Sequence, residues 1–186
     1  MSEKSLKGQL LIATPQLLDP NFARTVLFLF EHTEQGAAGV VLNRATEMTV
    51  SDVSAQLLEE TIAWDKPIFL GGPVPGPLMV LHEDEDLADR EAIAGLYLTV
   101  EAGKLREVLE RRVEPSLIVA NYAGWGPGQL DRELNEDSWY HIDANREHIF
   151  WTGPNDLWDE VVRDVNRRRM SELLGTEDLP EDPTLN

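Results

Sequence analysis

Two apolar runs limit the folds open to this chain. Residues 26–30 read VLFLF and residues 117–120 read LIVA, without a polar residue at alternate positions. A half-exposed strand alternates apolar and polar side chains. A strand covered on both faces reads as a short continuous apolar run. The chain is therefore expected to build a sheet whose central strands carry a packed layer on each side.

Other strand-like runs surround these two. GQLLIA (8–13) ends at Thr14-Pro15. TVLFLFEH (25–32) and GAAGVVLNR (36–44) are separated only by TEQ, the spacing of a hairpin. KPIFLGG (66–72) and PLMVLH (77–82) are joined through Pro73, Pro75 and Gly76, and GLYLTV (95–100) and PSLIVANY (115–122) follow. SWYHID (138–143) and HIFW (148–151) predict a late hairpin around Ala144 to Glu147.

Amphipathic stretches lie between the strands. In TVSDVSAQLLEE (49–60), Val50, Val53 and Leu57 share a face, and Thr49 with Asp52 forms a capping box with Asp in place of Glu. EAGKLREVLERR (101–112) places Ala102, Leu105 and Leu109 together and is followed by Pro115. The stretch 154–170 carries Leu157, Trp158, Val161, Val162 and Val165 on one side, Arg167 to Arg169 suit the negative end of its dipole, and Gly175 supplies a stop signal. GQLDREL (128–134) also reads as a helix. Helices mixed with hairpins predict an α+β fold: one domain over residues 1–186, with a mixed sheet flanked by helices. The ordered core is expected at 7–175, and the acidic tail 176–186, with two prolines, frays.

Composition narrows the chemistry. A hydrophobic share of 42% excludes disorder of the whole chain, and the lack of cysteine excludes thiol nucleophiles and zinc–thiolate sites. Asp and Glu total 34 against 16 Lys and Arg, a net charge of −18. Such a field repels phosphate backbones and anionic lipid and favours basic partners. Neither direct nucleic-acid contact nor membrane contact is expected. The N-terminal apolar stretch is too short for a secretory signal, and no run approaches the roughly 20 residues of a membrane helix, so a cytoplasmic protein is expected.

Few residues form a recognisable constellation. NYAGWGPGQLDREL (121–134) sets Trp125 among glycines just before a helix. Glycine permits positive φ and Pro127 fits a first helical turn, so a structural corner anchored by buried Trp125 is one reading. A ligand-binding turn at a helix start is the other. FLGGPVPGP (69–77) is a second turn-rich string, and Asn43-Arg44 a polar pair after a strand. His82 precedes four acids (83–86), and His141, Asp143 and His148 would face one another across the late hairpin. No metal-binding spacing supports either group, and no metal or cofactor is expected. No nucleophile elbow is present. RRR (167–169) is a basic run on a helix that also carries acids, without aromatic interleaving.

Taken in order, GQLLIATPQLLDPNFARTVLFLFEH, GAAGVVLNR, FLGGPV and NYAGWGPGQLDREL resemble the YqgE/AlgH family of bacterial proteins over residues 8–175. The matching positions are Pro15, Phe22, Arg24, Gly39, Asn43, Arg44, Gly71, Gly72, Pro73, Gly124, Trp125, Gly126, Gln129, Leu130 and Glu133. The resemblance implies a single α+β domain with a strongly bent, pseudo-barrel-like mixed sheet, and it implies no particular reaction. Some family members carry a transcriptional-regulator label, which a net of −18 without a basic face fits poorly as direct DNA contact. The leading expectation is a non-enzymatic cytoplasmic module that binds a protein or small-molecule ligand and regulates indirectly. Its candidate surface is Asn43, Arg44, Gly72, Trp125, Gln129 and Glu133. The alternative is a hydrolase or transferase using carboxylate or histidine chemistry in a cleft near the GGPV and GWGPGQL loops.

Overall fold

A computed structural model describes residues 5–57, 61–151 and 156–174. The predicted helix end at 58–60, the stop at Gly175 and the tail 176–186 lie outside the described residues. The strands are β1 (Gln9–Ala13), β2 (Val26–Thr33), β3 (Gly36–Val41), β4 (Ala45–Thr49), β5 (Pro67–Leu70), β6 (Val74–His82), β7 (Arg90–Ile93), β8 (Leu96–Thr99), β9 (Ser116–Trp125) and β10 (Trp139–Asp143). The helices are α1 (Val50–Leu57), α2 (Ala102–Arg111), α3 (Gln129–Asn135), α4 (Arg146–Ile149) and α5 (Leu157–Leu174). Among the described residues no helix is long and apolar enough to cross a membrane.

The strands form one mixed sheet in the order β10-β1-β2-β3-β9-β6-β8-β7, with β5 on β9 and β4 on β5. Among the described strand pairs only β5 with β9 is parallel. The LIVA run falls in the central strand β9, whose residues 118–120 pair with β5 and whose 123–125 pair with β3. Between them Asn121 takes φ +65°, and its side-chain oxygen accepts from Gly76 N. A left-handed residue inside a strand turns the chain sharply, and this is where the sheet bends.

The continuous apolar runs are explained by layers on both faces. Leu10, Ile12, Val26, Phe28 and Val40 point inside the bend, where they meet Leu81, Leu98 and Val119 and are closed by Leu157, Trp158, Val161 and Val165 of α5. Leu11, Ala13, Leu27, Leu29 and Val41 point out, under α3 and the loop before β2. Ile68, Val80 and Ile118 face α1 and α2. The Thr49–Asp52 capping box forms: Thr49 N donates to Asp52 Oδ2 at 2.8 Å, and Asp52 N donates to Thr49 Oγ1 at 3.4 Å.

Three expectations are corrected. The second strand of the late hairpin is a helix, α4, because the Asn145 side chain caps it by accepting from His148 N at 2.8 Å. β10 pairs instead with β1, antiparallel and without a register shift. Pro75 and Gly76 belong to β6 rather than to a loop, although the pairing with β9 breaks between Val74 and Leu78, where prolines supply no N–H. Trp125 ends strand β9 rather than sitting in a corner, Pro127 precedes the α3 cap, and among the motif's glycines only Gly128 has positive φ, +64°.

Candidate functional site

The string around Trp125 builds a polar clasp over an aromatic cluster. Gly126 N donates to Gln129 Oε1 at 3.1 Å, which ties the turn to the first helical residue. Residues four apart on a helix are neighbours, and Gln129 Nε2 donates to Glu133 Oε1 at 2.9 Å. The other oxygen of Glu133 accepts from two indoles, Trp125 Nε1 and Trp139 Nε1, each at 2.9 Å. Trp125 is 5% exposed and Trp139 4%. Their rings lie 6.2 Å apart edge to face, and Phe22 touches both, at 6.2 Å from Trp125 and 5.5 Å from Trp139.

Asn43 and Arg44 hold the loop that carries Phe22. Asn43 Oδ1 accepts from Val26 N at 3.0 Å, and Asn43 Nδ2 donates to Arg24 O at 2.9 Å. The Arg44 guanidinium donates to the carbonyls of Asn21, Pro20 and Ala23 at 2.6, 3.0 and 3.3 Å. Gly72 stands apart, against the bend of β9: a Cβ there would lie 2.3 Å from the carbonyl carbon and oxygen of Tyr122. Five of the six predicted residues are thus linked through Phe22 and its loop, by contacts that hold backbone and buried indoles. None of the six lines the cleft described below.

The histidines do not converge. His82 is fully buried, with Nε2 2.7 Å from Thr99 Oγ1 and Nδ1 accepting from Asp84 N. Because Nδ1 accepts, the ring proton sits on Nε2, and burial pushes the His82 pKa down. The acids that follow face elsewhere: Glu83 pairs with Arg146, and Asp84 caps a 3-10 turn at Glu85–Leu87. His141 and Asp143 are both exposed and are bridged by Gln9, whose Oε1 lies 2.7 Å from His141 Nδ1 and whose Nε2 donates to Asp143 at 3.1 Å. His148, on α4, is buried with Nδ1 unpartnered, and burial lowers its pKa. Among the described residues no cluster of metal-ligating side chains forms.

An open cleft of about 660 Å³ runs along β10, a size within the usual range of ligand sites. One wall is the end of α3 and the turn after it, with Leu134, Asn135 and Asp137. The other is α5, with Val165, Arg168 and Arg169. The floor is the edge strand itself. The Arg169 guanidinium lies 5.2 Å from the ring centre of Tyr140. Arg168 and Arg169 are exposed and form no ion pair with a carboxylate among the described residues. A basic run on an acidic chain was the one signal of this cleft legible in the sequence, where it reads as complement to a helix dipole and as a run without the aromatic interleaving of a nucleic-acid site.

Residues 10–169 match the family described as AlgH-like, so the chain belongs to that family. It is 39% identical to a UPF0301 protein of Streptomyces avermitilis over 98% of this chain and 96% of that one. A UPF0301 protein of Myxococcus xanthus is 36% identical over 86% of this chain and 91% of its own. Among solved structures, the AlgH protein from Pseudomonas aeruginosa superimposes with a TM-score of 0.74 at 30% identity, covering 97% of this chain and 98% of that one. Protein DIP2367 from Corynebacterium diphtheriae, 23% identical, has the same fold with a TM-score of 0.72 over 88% and 89% of the two chains.

Proposed function

We propose that this AlgH-like protein is a non-catalytic binding module of the cytoplasm, which holds a partner in the cleft beside β10 and exerts any regulatory effect through that partner. One observation carries the reading. Arg168 and Arg169 converge on an open cleft with Tyr140 and without carboxylate partners among the described residues, in a chain of net charge −18. Cations left unpaired in such a field are available to a ligand anion.

The alternative, a hydrolase or transferase near the GGPV and GWGPGQL loops, has less support. Of the carboxylates in that region, Glu133 already accepts from two indoles and an amide, and Asp131 lies 3.5 Å from Nε2 of His32, whose Nδ1 accepts from Leu6 N; a general base needs a lone pair directed at its substrate.

A thermal-shift screen against metabolites and peptides tests the reading, because a ligand at 100 times its Kd adds about 2.7 kcal/mol to stability. Stabilising compounds are expected to lose their effect when Arg168 and Arg169 are both changed to alanine. Stabilisation indifferent to that double variant, or turnover of a screened compound, would overturn it.

A further inference from the structure

On that binding-module reading, we infer that β10 is a docking edge for an extended acidic segment of a partner protein, which joins the sheet as a further strand. The hydrogen-bond phase of the β1–β10 pair is the starting point. Thr14 N donates to Ser138 O at 3.1 Å, and Ala144 N donates to Gly8 O at 3.2 Å. In an antiparallel pair, residues that exchange bonds alternate with residues whose N–H and C=O point away. The register is unbroken between these bonds. Tyr140 and Ile142 therefore bond toward β1, while Trp139, His141 and Asp143 present their backbone groups to the open side. Among the described residues β10 pairs only with β1.

Edge strands are normally blunted by proline, a bulge or lysine. β10, reading WYHID, has none of these, and its one charged residue, Asp143, stands at its end. An added strand lies about 4.8 Å from β10, which places its backbone in the cleft between α3 and α5. Its side chains then alternate between the two walls. Every second one faces Arg168 and Arg169, and the intervening ones face Leu134, Asn135 and Asp137. Carboxylates suit the first set and neutral residues the second, so the recognised pattern is acid–neutral–acid. A second copy of this chain is the poorer occupant, because the strand it would add, WYHID, offers the arginines no alternating carboxylates.

The test selects binders from a displayed library of random 12-residue peptides and measures synthetic winners against three proteins: the native chain, R168E/R169E, and His141→Pro. The His141 N–H points away from β1, so proline there leaves the native ladder in place. Selected peptides are expected to carry acids at alternate positions. Their affinity should fall about tenfold or more in each variant, since one lost charge-assisted or backbone bond corresponds to about that factor. Should His141→Pro fail to fold, methylation of alternate backbone amides in the peptide replaces it, with one set of alternate sites expected to abolish binding and the other to be tolerated. Binding that needs the arginines but ignores both backbone changes would overturn strand addition and leave the binding module standing. Peptides indifferent to all the changes would sink both. Concentration-dependent dimers lost in His141→Pro would make a second copy the occupant and refute the proposal.

Discussion

Glu133→Ala should destabilise the fold by about 2–4 kcal/mol. The carboxylate receives two indole N–H groups, from Trp125 and Trp139, both nearly inaccessible to solvent, and the amide of Gln129. A buried donor stripped of its acceptor costs about 1–3 kcal/mol, so two indoles set a range of about 2–6 kcal/mol. Glu133 itself is half-buried, and water entering the vacated space satisfies part of the loss, which selects the lower half. Glu133→Gln keeps the shape and one acceptor for the indoles but sets its NH2 against the NH2 of Gln129, so it should cost only about 1 kcal/mol, one net hydrogen bond. For comparison, Trp125→Ala should cost about 3–5 kcal/mol as a large core truncation, and Gln129→Ala, on the exposed side, far less. Urea unfolding followed by indole fluorescence measures all four, provided the m-values agree. If Glu133→Ala stays within about 0.5 kcal/mol of the native protein, the clasp does not hold the aromatic cluster. A Trp125→Ala variant of native stability would refute the structural role of the motif altogether.

Acidification gives an independent check. His82 and His148 have pKa values lowered by burial, so below about pH 6.5 the unfolded chain binds protons that the native state refuses. Stability should be flat above pH 7 and fall from about pH 6.5 toward the lower native values, and urea midpoints between pH 7.5 and 5 that do not move would contradict this. Gly72→Ala should cost about 3 kcal/mol or more by pushing the central strand at Tyr122, whereas Gly95→Ala, with nothing within 4 Å of the added carbon, should pay only for its positive φ; equal urea midpoints would refute the contrast. Asn43→Ala leaves Val26 N and Arg24 O without their partner and should cost about 1–3 kcal/mol, with a change in near-UV circular dichroism as Phe22 shifts against the tryptophans.

What was legible in the sequence followed from local physics. The β2–β3 hairpin, the Thr49–Asp52 cap and the apolar stripe of α5 are set by neighbours a few residues apart, and each is where its pattern puts it. β4, ATEMT, has no apolar pattern because it pairs only with β5 near the surface, so nothing marked it. The partner of β10 is β1, more than 120 residues away, and proximity in sequence pointed to 148–151 instead. Glu133 looked like a polar edge because its two indole partners are found only when the sheet brings Trp139 beside Trp125. Of the cleft only the basic run 167–169 was legible, for the same reason: Tyr140, Arg168 and Arg169 meet only after α5 packs inside the bend.

Backbone amide exchange along β10, resolved residue by residue in the free protein, tests the open docking edge most directly. Tyr140, Ile142 and Ala144 donate toward β1 and should exchange slowly, while Trp139, His141 and Asp143 should exchange fast and become protected when an acidic strand-forming peptide binds. Uniform slow exchange across all six amides in the free protein would mean that the edge is already covered, and would contradict the account.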